Sequence, residues 1–196
     1  MTNYALQSYW DYRYAQDDEV FEWLIDWSDL QSYMTPHLTT TSEILVTGCG
    51  TSRLVADLYN FGFPYVTAID FSEVAIAQMK DRWSDLSDTL EFEVMDMTEG
   101  LDYPSLIFDV VIDKAALDAV LCGTDALLKS RRVLREIYRV LKPNGLFFCV
   151  SHAGEDARIS LLCSQKWKVT CCKVENSVSK SCCFVYLCRK FVESLA

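Results

Sequence analysis

A chain of 196 residues, 51% of them apolar and carrying a formal charge of −10, has material for one domain with a buried core; two would each be thin. The acidic balance argues against nucleic acid as the main partner, because phosphate binding needs a concentrated basic surface. No run approaches the roughly 18 consecutive apolar residues of a membrane span, and residues 1–11 lack the basic-then-apolar layout of a signal peptide, so a cytoplasmic, monomeric protein is expected.

Residues 1–42 are rich in aromatic and acidic side chains, with Tyr4, Tyr9, Trp10, Tyr12, Tyr14, Phe21, Trp23, Trp27 and Tyr33 at loosely helical spacings. The pattern predicts a cap of short helices, most of the rings serving as core. Pro36 and the run Thr39-Thr40-Thr41-Ser42 break it. His37 is expected at the surface.

The core is expected over 43–196. A first strand at 43–47 runs into the turn Gly48-Cys49-Gly50, and a helix follows from about Ser52 with Leu54, Val55, Leu58 and Phe61 on one face, stopped by Gly62. A second strand at 65–69 ends at Asp70, and Ser72 caps the next helix. A third strand at 90–95 ends at Asp96. A fourth at 107–112, apolar apart from Asp109 as a strand covered on both faces should be, ends at Asp113. A long helix from about Asp125 puts Leu127, Leu134, Ile137 and Leu141 on one stripe, and Pro143-Asn144-Gly145 turns the chain into a fifth strand at 146–150. Beyond His152, 167–174 and 182–188 read as an antiparallel hairpin around a polar loop. Five strand–helix alternations imply an α/β fold with a doubly wound, mostly parallel sheet.

Nine cysteines, an odd number with several inside apolar runs, read as reduced and mostly buried thiols. Cys171-Cys172 and Cys182-Cys183 lack the two-residue gap that turns two thiolates onto one zinc ion, so no metal is expected. Lys129, Arg131, Arg132 and Arg135 read as a solvated helix face.

In such a sheet the ligand sits outside the carboxyl ends of the strands. Glycines at 48 and 50 allow close backbone approach, and Asp70, twenty residues after Gly50, is spaced to accept hydrogen bonds from ribose hydroxyls. A dinucleotide fingerprint wants a third glycine where this chain has Arg53, which weakens a nicotinamide-dependent oxidoreductase.

Gly48-Cys49-Gly50, Asp70, Asp96, Phe108-Asp109-Val110-Val111 and the block from Leu134 to Gly145 resemble the class I, seven-stranded, Rossmann-like methyltransferases that use S-adenosylmethionine. More narrowly, Tyr9-Trp10-Asp11-Tyr12-Arg13-Tyr14, Phe21-Glu22-Trp23, Gly48-Cys49-Gly50-Thr51-Ser52 and Asp113-Lys114-Ala115-Ala116-Leu117-Asp118-Ala119 are similar to a branch containing lysine methyltransferases of elongation factor 1A. The resemblance implies a seven-stranded sheet with helices on both faces and S-adenosyl-L-methionine as cofactor. It places Gly48 and Gly50 at the methionine part, Asp70 at the ribose, Phe71 beside the adenine, Asp96 with Met97 at the adenine edge, and Trp10, Tyr14, Trp23 and Lys114 along the pocket. It also implies protein-lysine N-methylation of a translation elongation factor or similar basic protein. Ala115-Ala116 stand where the branch usually has Gly-Thr, and the segment after Leu121 is short.

The cofactor's methyl carbon is already electrophilic, so the protein mainly aligns the nucleophile and excludes water. A lysine must also lose its proton, since its free pKa is near 10.4. Asp113 and His152 are the candidate bases. Asp113, Asp118 and the N-terminal aromatics are placed to orient the ammonium, and Lys114 is expected to pair with Asp113 or with the cofactor carboxylate. The alternatives are methylation of a small molecule and a non-catalytic methyltransferase-like binding module, which the Ala115-Ala116 change favours.

Overall fold

The computed structural model describes residues 4–86 and 89–191. A cap of α1 (Gln7–Gln16), α2 (Trp27–Met34) and a 3-10 turn, Thr35–His37, precedes β1 (Ile44–Thr47). Alternation follows with α3 (Leu54–Asn60), β2 (Val66–Asp70), α4 (Glu73–Arg82), β3 (Leu90–Val94), β4 (Phe108–Lys114), α5 (Ala116–Val120), α6 (Ala126–Val140) and β5 (Leu141–Ser151). The chain closes with α7 (Glu155–Leu162), β6 (Trp167–Glu175) and β7 (Cys182–Lys190).

The seven strands lie in the order β3-β2-β1-β4-β5-β7-β6, with β7 antiparallel to both neighbours and the rest parallel. From β1 the chain winds outward through β2 and β3, then returns to β4 on the other side of β1. The β1/β4 boundary is therefore the topological switch point, where strand ends diverge and leave a crevice.

Successive strand residues face opposite layers. Ile44 and Val46 of β1 pack with α2, α3 and α4 residues such as Leu30, Met34, Val55, Leu58 and Met79, whereas Leu45 packs with Leu134, Ile137 and Val140 of α6 and Leu162 of α7. The same division separates Val110 and Ile112 from Val111 on β4, and Phe148 from Phe147 on β5. Burying each such side chain contributes roughly 1.5–3 kcal/mol, which is why these strands read as unbroken apolar runs.

Local chemistry sets the helix starts. Ser72 caps α4 by accepting the Ala75 N–H at 3.2 Å, and Ser52 accepts the Leu54 N–H at 3.1 Å at the head of α3.

Three features differ from the sequence expectation. Pro143-Asn144-Gly145 does not separate α6 from the strand: β5 begins at Leu141, and these residues bulge from it as the pairing with β4 jumps from Phe108↔Leu141 to Val110↔Leu146. The buried stripe of α6 is Ser130, Val133, Leu134, Ile137 and Val140, while Leu127 on the first turn is exposed. The short helices α5 and α7 carry too few turns to show a periodicity in sequence.

Candidate active site

A cleft of about 490 Å³ opens at the carboxyl ends of β1, β2 and β4, between the cap and the start of α6. Trp10, Tyr14, Trp23, Gly48, Gly50, Asp70, Phe71, Asp96, Met97, Lys114 and His152 all line it. Asp113 does not.

The glycine turn forms its floor. Gly48 and Gly50 have φ of +60° and +51°, a region that side-chain-bearing residues rarely adopt. A Cβ on Gly48 would overlap the Ala116 methyl, and one on Gly50 would lie 2.5 Å from the Tyr14 hydroxyl oxygen. The expected close ligand approach is thus joined by a second requirement: α5 and α1 themselves pack onto the turn.

Asp70, only 5% exposed, holds this turn to β2. One carboxylate oxygen accepts the Gly50 N–H at 2.8 Å and the other the Ser72 N–H at 2.9 Å. Burial pushes its pKa up to about 6, against the lowering effect of those two bonds. Each oxygen keeps a lone pair for a further donor. Asp96 accepts the Thr98 N–H at 2.8 Å, closing the loop after β3 on the cleft's other side.

The cap supplies an aromatic wall. The rings of Trp10 and Tyr14 stack at 5.8 Å between centroids, and Trp23 meets Trp10 edge-on at 5.8 Å. Burial and the nearby Asp70 charge push the Tyr14 phenol well above its ordinary pKa, so it stays a neutral hydroxyl. Gln7 donates to the Phe71 carbonyl and Gln78 to that of Tyr14, both at 2.8 Å, which seats α1 against the turn after β2 and against α4.

Glu22 fastens the remainder of the cap. Its carboxylate accepts from Ser52 Oγ at 2.9 Å, from the Arg53 N–H at 2.6 Å and from Lys114 Nζ at 2.9 Å, while Lys114 also donates to the Trp23 carbonyl at 3.0 Å. Lys114 therefore pairs with Glu22 rather than Asp113, as its expected partner would have been. Sequence reasoning assigned Glu22 no role; its signal was the position between two pocket aromatics, Phe21 and Trp23.

Asp113 is fully buried beneath α5. Its two oxygens accept the Leu117 N–H at 3.1 and 3.0 Å, and burial pushes its pKa up to about 7. As a candidate base it is displaced by its own helix, which claims the carboxylate as a cap and shuts it off from the cleft. Ala115, at φ +70°, makes a left-handed step into α5, a conformation that favours glycine. Ala116 then fills the space against Gly48.

Asp118 meets four polar atoms. Its Oδ1 accepts Ser151 Oγ and Arg158 Nη2, each at 2.6 Å; its Oδ2 accepts the His152 N–H at 3.0 Å and lies 2.6 Å from His152 Nδ1. Asp118 and Arg158 are buried, whereas the His152 side chain is 64% exposed along the cleft. Neither Ser151, the last residue of β5, nor Arg158 was given a role from the sequence, and α7, which carries Arg158, was itself not legible there.

A glycine turn at the switch point, an acid after β2, another after β3 and an aromatic cap over them define the class of a seven-stranded methyltransferase domain. The chain belongs to the methyltransferase domain family, whose model matches residues 39–184. It is similar to mouse (Mus musculus) EEF1A lysine methyltransferase 4, 38% identical over 166 residues, covering 80% of this chain and 64% of the mouse protein. It is also similar to eEF1A lysine and N-terminal methyltransferase of Bos taurus, 36% identical over 148 residues, covering 74% of this chain and 21% of the bovine one. The chain thus spans under two thirds of the length of these relatives. In fold it matches Burkholderia thailandensis 1,6-didemethyltoxoflavin-N1-methyltransferase, solved with bound 1,6-didemethyltoxoflavin and S-adenosylhomocysteine, at a TM-score of 0.73 and 20% identity over 96% of this chain and 88% of that one. Among the described residues no helix is long and apolar enough to cross a membrane.

Proposed function

We propose that this protein is an S-adenosylmethionine-dependent methyltransferase whose acceptor is a lysine amine on a protein, of which elongation factor 1A or a similar basic protein is the leading candidate. The observation that carries the reading is the cleft itself, where Asp70, Asp96 and the glycine turn meet an aromatic wall. The names of the relatives support the acceptor class.

The donor set fits this cofactor. Asp70 has lone pairs left for two ribose hydroxyls, while Phe71 and Met97 offer flat apolar contact to an adenine whose edge lies toward Asp96. Gly48 and Gly50 bring the backbone near the methionine part, and Trp10, Tyr14 and Trp23 enclose it. Aromatic faces also suit a sulfonium, a cation with little hydration to surrender. Bound there, S-adenosylmethionine supplies an electrophilic methyl carbon. The chain's own residues exclude water and hold an incoming amine in line with that carbon. With Lys114 engaged by Glu22 and Trp23, its part is to hold the wall closed.

Calorimetric titration with S-adenosylmethionine and with NAD tests the cofactor: heat with the former alone is expected, and none with it overturns the reading. Labelled cofactor with recombinant elongation factor 1A, and separately with cell lysate, tests the acceptor. Label on one protein band, mapped to a lysine, is the expected result; label only in small molecules overturns that part.

A further inference from the structure

We propose that Asp118 and His152 form the proton-accepting pair of this site, His152 as the catalytic residue and Asp118, Ser151 and Arg158 as positioning residues. The proposal rests on the reading that the acceptor is an amine.

The geometry assigns the tautomer. An ionised carboxylate only accepts hydrogen bonds, and Asp118 Oδ2 lies 2.6 Å from His152 Nδ1 while also taking the His152 backbone N–H. The neutral ring must then carry its hydrogen on Nδ1 and leave the Nε2 lone pair free. Among the described residues no hydrogen bond is made by Nε2, and the ring stands along the cleft. Histidine is the side chain whose proton exchange falls nearest neutrality.

The rest of the network holds the carboxylate still. Arg158 supplies the opposite charge that a buried carboxylate needs, at 2.6 Å. Ser151 Oγ donates to Asp118 at 2.6 Å and accepts the Ala153 N–H at 3.0 Å, so its hydroxyl has one orientation. Anchoring α5 to the end of β5 alone would be met by Ser151 and the His152 backbone. It would not require an exposed ring bound through Nδ1 alone. Around the pair, Lys129 of α6 and Lys114 of β4 line the same cleft, Asp113 lies beneath α5, and Tyr186 of β7 donates to the Ala153 carbonyl at 2.7 Å.

In the step this supports, an acceptor ammonium gives one proton to His152 Nε2. The freed lone pair on nitrogen forms the bond to the methyl carbon as the carbon–sulfur bond breaks, its electron pair staying on sulfur. The methylated product leaves as an ammonium, and the imidazolium, still bound to Asp118, returns its proton to water.

The free protein provides the first test. With two histidines in the chain, long-range proton–nitrogen NMR of nitrogen-15-labelled protein resolves both rings, and the His37→Gln variant assigns them. The Nδ1–H tautomer is expected at His152, giving way in part to Nε2–H in Asp118→Asn. A wild-type ring with its hydrogen on Nε2 overturns the pair. The second test uses His152→Gln, which removes an exposed ring and leaves the buried network in place. Turnover on the protein acceptor is expected to fall on the order of 10²-fold or more, as for a lost general base, with cofactor affinity unchanged and the acidic limb of the pH–rate profile gone. Arg158→Lys should recover more of that limb than Arg158→Met. Turnover of His152→Gln within about threefold of wild type overturns the role. Failure of wild type to methylate any amine would instead sink the proposed function, while the tautomer still decides the pair.

Discussion

Replacing Asp113 by Asn asks whether this strand-end acid is a helix cap or a proton acceptor. The side chain has no exposed surface, and burial raises its pKa from 3.8 to about 7. Between those values the folded protein holds a proton that the unfolded chain has released. The stability tied to this group is therefore fully present below pH 3.8 and is lost as pH rises through about 7. Integrating proton binding between about pH 5.5 and about pH 8 gives a loss of about 2 kcal/mol. Asn carries no charge, and its oxygen can still accept the Leu117 N–H. Urea unfolding of variant and parent at both pH values should show the difference moving toward the variant by about 2 kcal/mol as pH rises. Asp70 titrates in the same direction in both proteins and cancels. Turnover should stay within about tenfold of wild type, against the 10²–10⁴-fold loss of a missing general base. A pH-independent difference, or a loss of turnover on that larger scale, would refute the argument.

Asp70→Ala should weaken S-adenosylmethionine binding by about 1–3 kcal/mol in calorimetry, the charged hydrogen bonds being lost; unchanged affinity would remove Asp70 from the ribose site. Ala115→Gly relieves a left-handed residue at about 1–2 kcal/mol, partly offset by glycine's greater freedom when unfolded, so thermal melting should rise by about 0.5–1 kcal/mol equivalent. Gly50→Ala should destabilise, and Tyr14→Phe, which removes the oxygen lying 2.5 Å from the new methyl, should restore part of the loss; the coupling is expected at about 0.5–3 kcal/mol, and strict additivity would show that the backbone alone is strained. Lys114→Met leaves the Glu22 carboxylate without its cation and should speed proteolytic cleavage within residues 17–24 while the sheet stays folded, a limited-digestion readout.

Much of the sheet was legible because a strand covered on both faces is a continuous apolar run, and β1, β4 and most of β5 are such runs. The ten residues expected along the cofactor pocket share one cleft because each follows a strand end or belongs to the cap above it. What escaped was contact between distant segments. Glu22 meets residues 30 and 92 positions away, and Asp118 meets one 40 away, separations with no periodicity to betray them. Asp113 looked equivalent to Asp70 and Asp96, each an acid closing a strand. Only the fold shows that Leu117 turns its N–H onto the first, while the other two keep a face toward the cleft.

β1 is four residues long, all of them buried, and its side chains are divided between the two helical layers. The turn that follows it is therefore suspended from the most interior point of the molecule, with α1 and α5 packed against its two glycines. A substitution in either layer, many residues from the cleft, reaches that turn through a single strand. Drift that other surfaces absorb is here transmitted to the floor of the cleft, so the tolerance of this domain to change is set by its centre.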